Sequence, residues 1–371
     1  MHLTRRKFLT AAVATTAAAG LMSVPFVQAQ QHWLVSCGSD GSNNYFVAAM
    51  SLDGKLISKI QIPARGHDVI SLPNKPGRAL VFARRPGTFA IEVDFINHRI
   101  VKEINPQLGL HFYGHGVIST KNHVLITSEN DFSSGDGQIV LRDVSNYQVL
   151  ARYPSGGVGP HQIAMMPDGN TLVIANGGIK THPELPRKKL NLDTMQPNLA
   201  YLDISTGKLL ATYQLENKYL SIRHLDVSKK GKVIAALQYQ GIKTDIVPLV
   251  VSHQGEEQLS FLHANENIWR AMNQYTASVC IDNEHNRVAV SCPRSDSITY
   301  WSLTKDQFIG SEKLKDGAGL AFINDMYASS GKGHVIELLA GKNKQQSLLS
   351  ARSMSFSGIR WDNHMTAVIA G

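Results

Sequence analysis

The sequence feature that most constrains the fold is a repeated pair of short apolar runs. In the clearest copy, apolar positions alternate over His161–Met166, the chain turns at Pro167–Gly169, and a second apolar run covers Leu172–Ala175. Similar pairs begin at residues 67, 115, 161, 224, 276, 317 and 361, at intervals of 41 to 63 residues. This period is typical of a four-stranded propeller blade.

Seven such units predict an all-β, seven-bladed β-propeller closed by pairing of its N- and C-terminal strands. Strands predicted at Trp33–Ser36, Tyr45–Ser51 and Leu56–Ile62 precede the first unit, and the C-terminus supplies the inner strand that they lack. Closing the ring in this way removes the exposed edges of an open sheet. Six and eight blades are the alternatives, because the last two units have weak patterns.

Residues 1–29 are expected to be a targeting segment, and residues 30–371 a single propeller domain. Thr4–Leu9 resembles a twin-arginine signal, and an apolar, alanine-rich stretch with a plausible cleavage site at Val27–Ala29 follows it. The expected location is therefore the periplasm, with an uncleaved N-terminal anchor as the alternative. Since no other apolar run is long enough to cross a bilayer, we expect no membrane span in the mature chain.

Composition argues against a nucleic-acid partner and a disulfide framework. Removing the three basic residues of the leader from the formal charge of +8 leaves +5, and the remaining basic residues are scattered. Cys37, Cys280 and Cys292 are too few for a disulfide framework or a zinc knuckle. Free thiols are expected, with a Cys280–Cys292 bridge as the alternative.

The propeller fold predicts where a functional site lies. The first strand of each blade lines the central channel, so the histidines that begin four consecutive units converge there: His67, His115, His161 and His224. The same face is expected to carry Arg84, Arg223, Glu129, Asn176 and Arg294. An expanded loop over residues 177–199 is a candidate lid, with His182, Arg187 and Lys188 as its candidate contacts.

Three interpretations of these residues are open. The four histidines could bind a transition-metal ion, with Glu129 or Asp362 completing the coordination. They could instead close the blades by donating to loop carbonyls. Alternatively, Arg84, Arg223 and Arg294 could hold the carboxylate or phosphate of a small ligand. Convergence of three histidine nitrogens within about 4 Å of a common point would favour a metal. The partner expected is a small ligand, a metal or a periplasmic protein, and whether the chain is an enzyme is open.

Several tracts resemble the DUF1513 family, which is described as twin-arginine-exported bacterial propellers of uncharacterised activity. They are Asn176–Asp203, Gly114–Ser119, Ser128–Asp143 and Trp361–Val368. The resemblance implies a periplasmic seven-bladed propeller. Family members tend to be found beside imelysin-like and cytochrome-peroxidase-like proteins, which implies a link to iron or another metal.

A broader likeness is to lactonase-type propellers with WD40- or YVTN-like repeats. Gly159–His161 and Pro167–Gly169 are similar to their repeat. This likeness implies a hydrolase or isomerase that acts on a sugar acid. By residue type, His161, Arg223 and Glu129 would be the analogues of its catalytic groups.

Overall fold

The computed structural model describes residues 31–371 except 43, 183, 186–187, 332–334 and 342–347. The predicted leader therefore lies outside the described residues. The described part of the chain forms seven antiparallel sheets of four strands each, arranged as the blades of a propeller.

The strands follow the chain order of the blades. The first three are β1 (His32–Ser39), β2 (Tyr45–Ser51) and β3 (Leu56–Gln61). Blade 1 contains β4 (Gly66–Ser71), β5 (Arg78–Ala83), β6 (Ala90–Asp94) and β7 (Arg99–Ile104). Blade 2 contains β8 (Leu110–Ser119), β9 (Val124–Asp131), β10 (Gly137–Asp143) and β11 (Val149–Pro154). Blade 3 contains β12 (Pro160–Met165), β13 (Thr171–Asn176), β14 (Asn198–Asp203) and β15 (Leu209–Gln214).

The second half of the ring repeats this arrangement. Blade 4 contains β16 (Leu220–Val227), β17 (Val233–Tyr239), β18 (Val250–His253) and β19 (Ser260–Phe261). Blade 5 contains β20 (Val279–Asp282), β21 (Arg287–Cys292), β22 (Ser297–Ser302) and β23 (Gln307–Lys313). Blade 6 contains β24 (Leu320–Ile323), β25 (Met326–Gly331), β26 (Val335–Gly341) and β27 (Leu348–Ser355), and β28 (Arg360–Ile369) ends the chain.

Blade 7 joins the two ends of the chain. Its order is β28-β1-β2-β3, so the C-terminal strand is the inner strand of a sheet that the N-terminus otherwise forms. The pairing runs from His32 opposite Ile369 to Ser39 opposite Arg360. The predicted fold class, its seven blades and its closure are confirmed, and the six- and eight-bladed alternatives are excluded.

Burial separates inner strands from outer strands. The middle strands of the blades, such as β5, β9 and β13, are almost wholly buried, because neighbouring blades cover both of their faces. The outermost strands β7, β11, β15 and β23 are largely exposed or alternate between exposed and partly exposed positions. The innermost strands contact one another around the channel, from β4 through β8, β12, β16, β20 and β24 to β28.

A short helix, α1 (Glu266–Ala271), lies between β19 and β20. The Asn265 side chain caps it by accepting from the Ile268 N–H at 3.2 Å. Its Trp269 stacks on Trp301 with ring centroids 5.1 Å apart, which anchors the helix on blade 5. Among the described residues, no helix has the length and apolar character needed to cross a bilayer. All three cysteines are free thiols.

Five inner strands carry a β-bulge close to the end where they enter the channel. The pairing shifts between Gly66 and Val69, Phe112 and Gly116, Pro160 and Ile163, Ile222 and His224, and Trp361 and Met365. The described pairs of β20 and β24 show no such shift. Because a bulge bends its strand and redirects local side chains, these five strands can present a side chain to the channel that a regular ladder would not.

Candidate metal centre

Five buried histidines meet in the channel, one from each bulged strand. They are His67 of blade 1, His115 of blade 2, His161 of blade 3, His224 of blade 4 and His364 of blade 7, and none is more than 6% exposed. The ring centroids of His67 and His364 are 4.5 Å apart, and those of His161 and His224 are 4.7 Å apart. The structure therefore brings the four predicted histidines together and adds a fifth.

The ring nitrogens form two overlapping groups. One group is His67, His115 and His161, the other is His115, His224 and His364, and within each the potential ligand atoms all lie within 4.8 Å of one another. For three atoms arranged in this way, there is a common point that lies about 2.8 Å or less from each of them. A zinc–imidazole bond is only slightly shorter, at ~2.0–2.1 Å. Small side-chain movements would bring all three nitrogens to bonding distance.

Neighbouring side chains fix how two of the rings are turned. His115 Nδ1 lies 3.1 Å from Asp68 Oδ2, and His224 Nδ1 lies 3.3 Å from Gln162 Oε1. Each contact leaves Nε2 as the nitrogen that faces away from the partner. Metal-binding histidines are usually oriented by such a contact on their second nitrogen.

Several buried ring nitrogens have no hydrogen-bond partner among the described residues. They are Nδ1 of His67, Nε2 of His115, Nδ1 of His161 and Nε2 of His364. A buried polar atom without a partner costs about 1–3 kcal/mol. Four such atoms in one cluster fit a site whose nitrogens bind a ligand.

The environment keeps most of these imidazoles neutral. Burial, reinforced by neighbouring histidines, lowers the pKa of His67, His161 and His224 well below the usual histidine range. Burial and His115 lower the pKa of His364 to about 4. Neutral imidazole is the form that binds a metal ion.

The expectation that these histidines close the blades does not match their contacts. In the described part of the chain, no hydrogen bond joins the five rings to a backbone carbonyl. Two other buried histidines do make that contact: His111 Nδ1 lies 3.1 Å from the Phe112 carbonyl, and His253 Nε2 lies 2.9 Å from the Glu256 carbonyl. In the channel, serine hydroxyls hold the strands instead, as where Ser36 donates to the His364 carbonyl at 2.7 Å.

The predicted polar partners occupy different positions. Asp362 lies beside the cluster, 3.8 Å from His67 Nδ1, and is ion-paired with Arg65. Glu129 is directed into blade 2, where its carboxylate accepts from Arg142 at 2.7 Å, because the inward-facing position of that blade belongs to β8. Asn176 is also structural. At the end of β13, its side-chain amide donates to the Ser155 carbonyl and to Asn198 Oδ1, and it accepts from the Ser155 hydroxyl.

Arginines line the channel beside the histidines. Arg223 immediately precedes His224 within the bulge of β16 and is 3% exposed. Burial and the charge of Arg85 lower its pKa to about 9. Arg85 donates to the Tyr113 hydroxyl and lies 4.9 Å from the centre of that ring. Tyr113 in turn contacts His161 edge-on at 6.2 Å, so the arginines and histidines adjoin.

Two further predicted arginines lie on the same side of the channel. Burial and the charge of Arg65 lower the pKa of Arg84. Arg294 stacks on the Tyr275 ring at 4.2 Å. Both lie in or beside loops that join the second and third strands of their blades, as the sequence predicted.

The expanded loop connects β13 to β14 and brings one further cation to this side. Burial and the charges of Arg223, Arg294 and Arg85 lower the pKa of Lys189. Of the predicted lid contacts, His182 is partly exposed and Lys188 is exposed. His182 Nδ1 lies 3.9 Å from the Glu184 carboxylate. Arg187 lies outside the described residues. The residue that approaches the arginines is therefore Lys189, which sequence reasoning had not singled out.

His364 is the ligand candidate that sequence reasoning missed. The sequence pattern starts the last unit at Trp361, and it also predicts the closure of the ring. Together these two observations place β28 beside β4 around the channel. Combining them would have added His364 to the other four.

Comparison with known proteins gives a family and a fold. A family model described as "Protein of unknown function (DUF1513)" matches residues 60–368. Among solved structures, the chain is similar to hydrazine synthase of Kuenenia stuttgartiensis, with a TM-score of 0.58, 11% identity, and coverage of 79% of this chain and 90% of that chain. At this identity the likeness shows the fold alone. No curated protein matches the chain.

Proposed function

This chain belongs to the DUF1513 family, and on that premise we propose that it is a metal-binding propeller whose channel holds one divalent transition-metal ion. The observation that carries the proposal is the meeting of five buried histidines from five blades, whose ring nitrogens form two groups of three with all distances inside each group at most 4.8 Å. Residues so far apart in sequence converge only through the closed ring.

The ligand chemistry selects a class of metal. Imidazole nitrogen suits zinc, copper, iron and nickel, whereas calcium, magnesium and manganese favour oxygen ligands. Both nitrogen groups share His115, whose Nδ1 contacts Asp68. Only its Nε2 is then available, so we propose one ion per chain.

We propose a binding or accessory role in the periplasm. The twin-arginine-like leader supports the location. This route exports proteins that have already folded, which permits a metal to be inserted before export. A channel that encloses the ion among neutral rings suits storage or delivery of the ion to a partner protein. The hydrolase alternative has less support, because Glu129 is paired with Arg142 and does not join His161 and Arg223.

Metal content tests the proposal. The full chain is purified from the periplasm, stripped with a chelator, reloaded with zinc, copper, iron, nickel, manganese or calcium, and analysed for bound metal. We expect about one equivalent of a metal that favours imidazole, and none of calcium. A His115→Ala/His161→Ala double variant removes ligands from both groups and should retain less than about a tenth of the metal.

The matched control is His253→Ala, which removes a buried histidine that contacts Tyr201 outside the channel. It should bind metal like the wild type. Equal metal content in the wild type and the double variant would overturn the proposal, as would a wild type that binds none of the imidazole-favouring metals. Circular dichroism of each variant checks that a loss of metal does not come from a loss of the fold.

A further inference from the structure

The most unusual charged group outside the histidine cluster is Arg223. Only 3% of the residue is exposed, and its buried Nε has no hydrogen-bond partner among the described residues. In the described part of the chain, no carboxylate lies within ion-pair distance of it. A buried charge without a partner is strongly destabilising, and proteins retain one where a ligand supplies the opposite charge.

Further cations lie near Arg223, and no described carboxylate lies within ion-pair distance of them. Arg85, Arg294 and Lys189 are close enough to interact electrostatically with it or with one another. Arg84 lies near Arg85, and the carboxylate that acts on it, Asp362, is already paired with Arg65. This anion cradle, defined as Arg84, Arg85, Lys189, Arg223 and Arg294, therefore holds an excess of positive charge.

Two tyrosines give the cradle a fixed shape. Arg85 donates to the Tyr113 hydroxyl, and Arg294 stacks on the Tyr275 ring. These contacts hold the planar guanidinium groups without neutralising them. Because a guanidinium matches carboxylate and phosphate oxygens with two parallel hydrogen bonds, the arrangement suits an oxyanion.

We propose that the anion cradle binds a small oxyanion with two or more negative charges, a polycarboxylate or a phosphate. Arg223 occupies the buried end of the site and donates to the anion, while Arg85, Arg294 and Lys189 surround it. The site goes beyond metal binding and stands without it, since the arginines and not the histidines carry it. Arg223 adjoins His224 in sequence, so a bound anion lies next to the metal centre.

Calorimetric titration of the metal-stripped full chain tests this proposal, with citrate and inorganic phosphate as separate probes. We expect saturable binding of at least one probe, and the tighter one identifies a carboxylate or a phosphate ligand. Arg223→Met should weaken binding by about tenfold or more, because it removes a charged hydrogen-bond donor. Arg294→Met, at an exposed position, should also weaken it.

The control is Arg152→Met, which removes the same charge from an exposed arginine of β11 that is paired with Asp131 of β9. It should bind the probe like the wild type. The His115→Ala/His161→Ala variant should also retain anion binding even when it has lost the metal. The proposal is overturned if the wild type binds neither probe, if Arg223→Met and Arg294→Met match Arg152→Met, or if only the histidine variant loses binding.

Discussion

At the scale of single residues, His115 is the centre of the metal site. It belongs to both nitrogen groups, and its orientation depends on Asp68 of the neighbouring blade. The orientation of a ring in blade 2 thus depends on a carboxylate of blade 1. Such a carboxylate positions the ligand without touching the metal.

Removing this carboxylate should weaken metal binding. We expect Asp68→Asn to lower the affinity by about 10- to 100-fold, because the His115 ring loses the partner that fixes it. Competition with a chromogenic chelator measures the affinity. The control is Asp226→Asn on β16, whose carboxylate accepts from the Ile281 N–H and should leave the affinity unchanged. Equal affinities for Asp68→Asn and the wild type would show that His115 needs no positioning.

Gly114 controls how closely β8 approaches His67. Its φ is +107°, and a Cβ added there would lie 2.6 Å from His67 Cδ2. Gly114→Ala should therefore lose stability and about tenfold or more in metal affinity, as the ring is displaced. Gly109→Ala is the control: its φ is +81°, but nothing lies within 4 Å of the added Cβ. It should lose about 1 kcal/mol of stability and keep its metal. Metal loss in both variants would mean that backbone strain alone disrupts the site.

The sequence predicted four of the five histidines because they share one position in successive units. Residue type alone did not distinguish channel groups from structural ones. Glu129 and Asn176 are predicted on loops of the channel face, but they lie at the ends of β9 and β13, and each has partners within its own blade. The partners depend on which side of the strand faces the neighbouring blade, and spacing in the sequence does not reveal it.

At the scale of elements, the β-bulges connect the fold to the site. Every inner strand with a register shift contributes a histidine to the cluster, and the two without one, β20 and β24, contribute none among the described residues. The bulges were not visible in the sequence pattern, because one or two extra residues near a strand end do not disturb the alternation that follows. Helix α1 was likewise missed, since six residues are too few to show a helical period.

Aspartates at strand ends stabilise the hairpins in a pH-dependent way. Asp203 accepts from the Ser205 hydroxyl at 2.6 Å and from the N–H groups of Ser205 and Thr206. The Ser205 hydrogen bond is the largest cause that lowers its pKa to about 2. Since the folded pKa lies below the unfolded value of about 3.9, the charge stabilises the fold above pH 4, and this contribution is lost as the pH falls towards 2.

Asp203→Asn removes that charge and keeps an acceptor. The variant should melt below the wild type at pH 6, and the difference should shrink between pH 4 and pH 2. Asp193→Asn, at an exposed aspartate of the expanded loop, should match the wild type throughout. Thermal melts at several pH values measure both. A constant difference from pH 6 to pH 2 would assign the effect to side-chain shape and not to charge.

At the scale of the whole molecule, one sheet joins the two ends of the chain and completes the metal site. β28 closes the ring against β1 and carries His364. The sequence predicted this closure, because the N-terminal strands lacked an inner partner. It follows that the fold and the complete histidine cluster form together.

Disrupting the closing pair should therefore destabilise the entire propeller. Val368 is fully buried in the cluster that β1 and β28 share with blade 1. Val368→Asp should lower the free energy of unfolding by about 3 kcal/mol or more, because it buries an unpaired charge. Ile309→Asp, at a 39% exposed position of β23, should change it by less than about 1 kcal/mol. Urea unfolding followed by fluorescence measures both. Unfolding of Val368→Asp in two separate steps would contradict a cooperatively closed ring.

The central claim is that one transition-metal ion binds where the five blades meet. The most direct measurement is anomalous diffraction from crystals of the metal-loaded full chain, collected above and below the absorption edge of the metal. We expect a single anomalous peak per chain, bonded to nitrogens of at least three of the five histidines, with His115 among them. A map with no peak in the channel, or with the ion bound elsewhere on the chain, would contradict the claim.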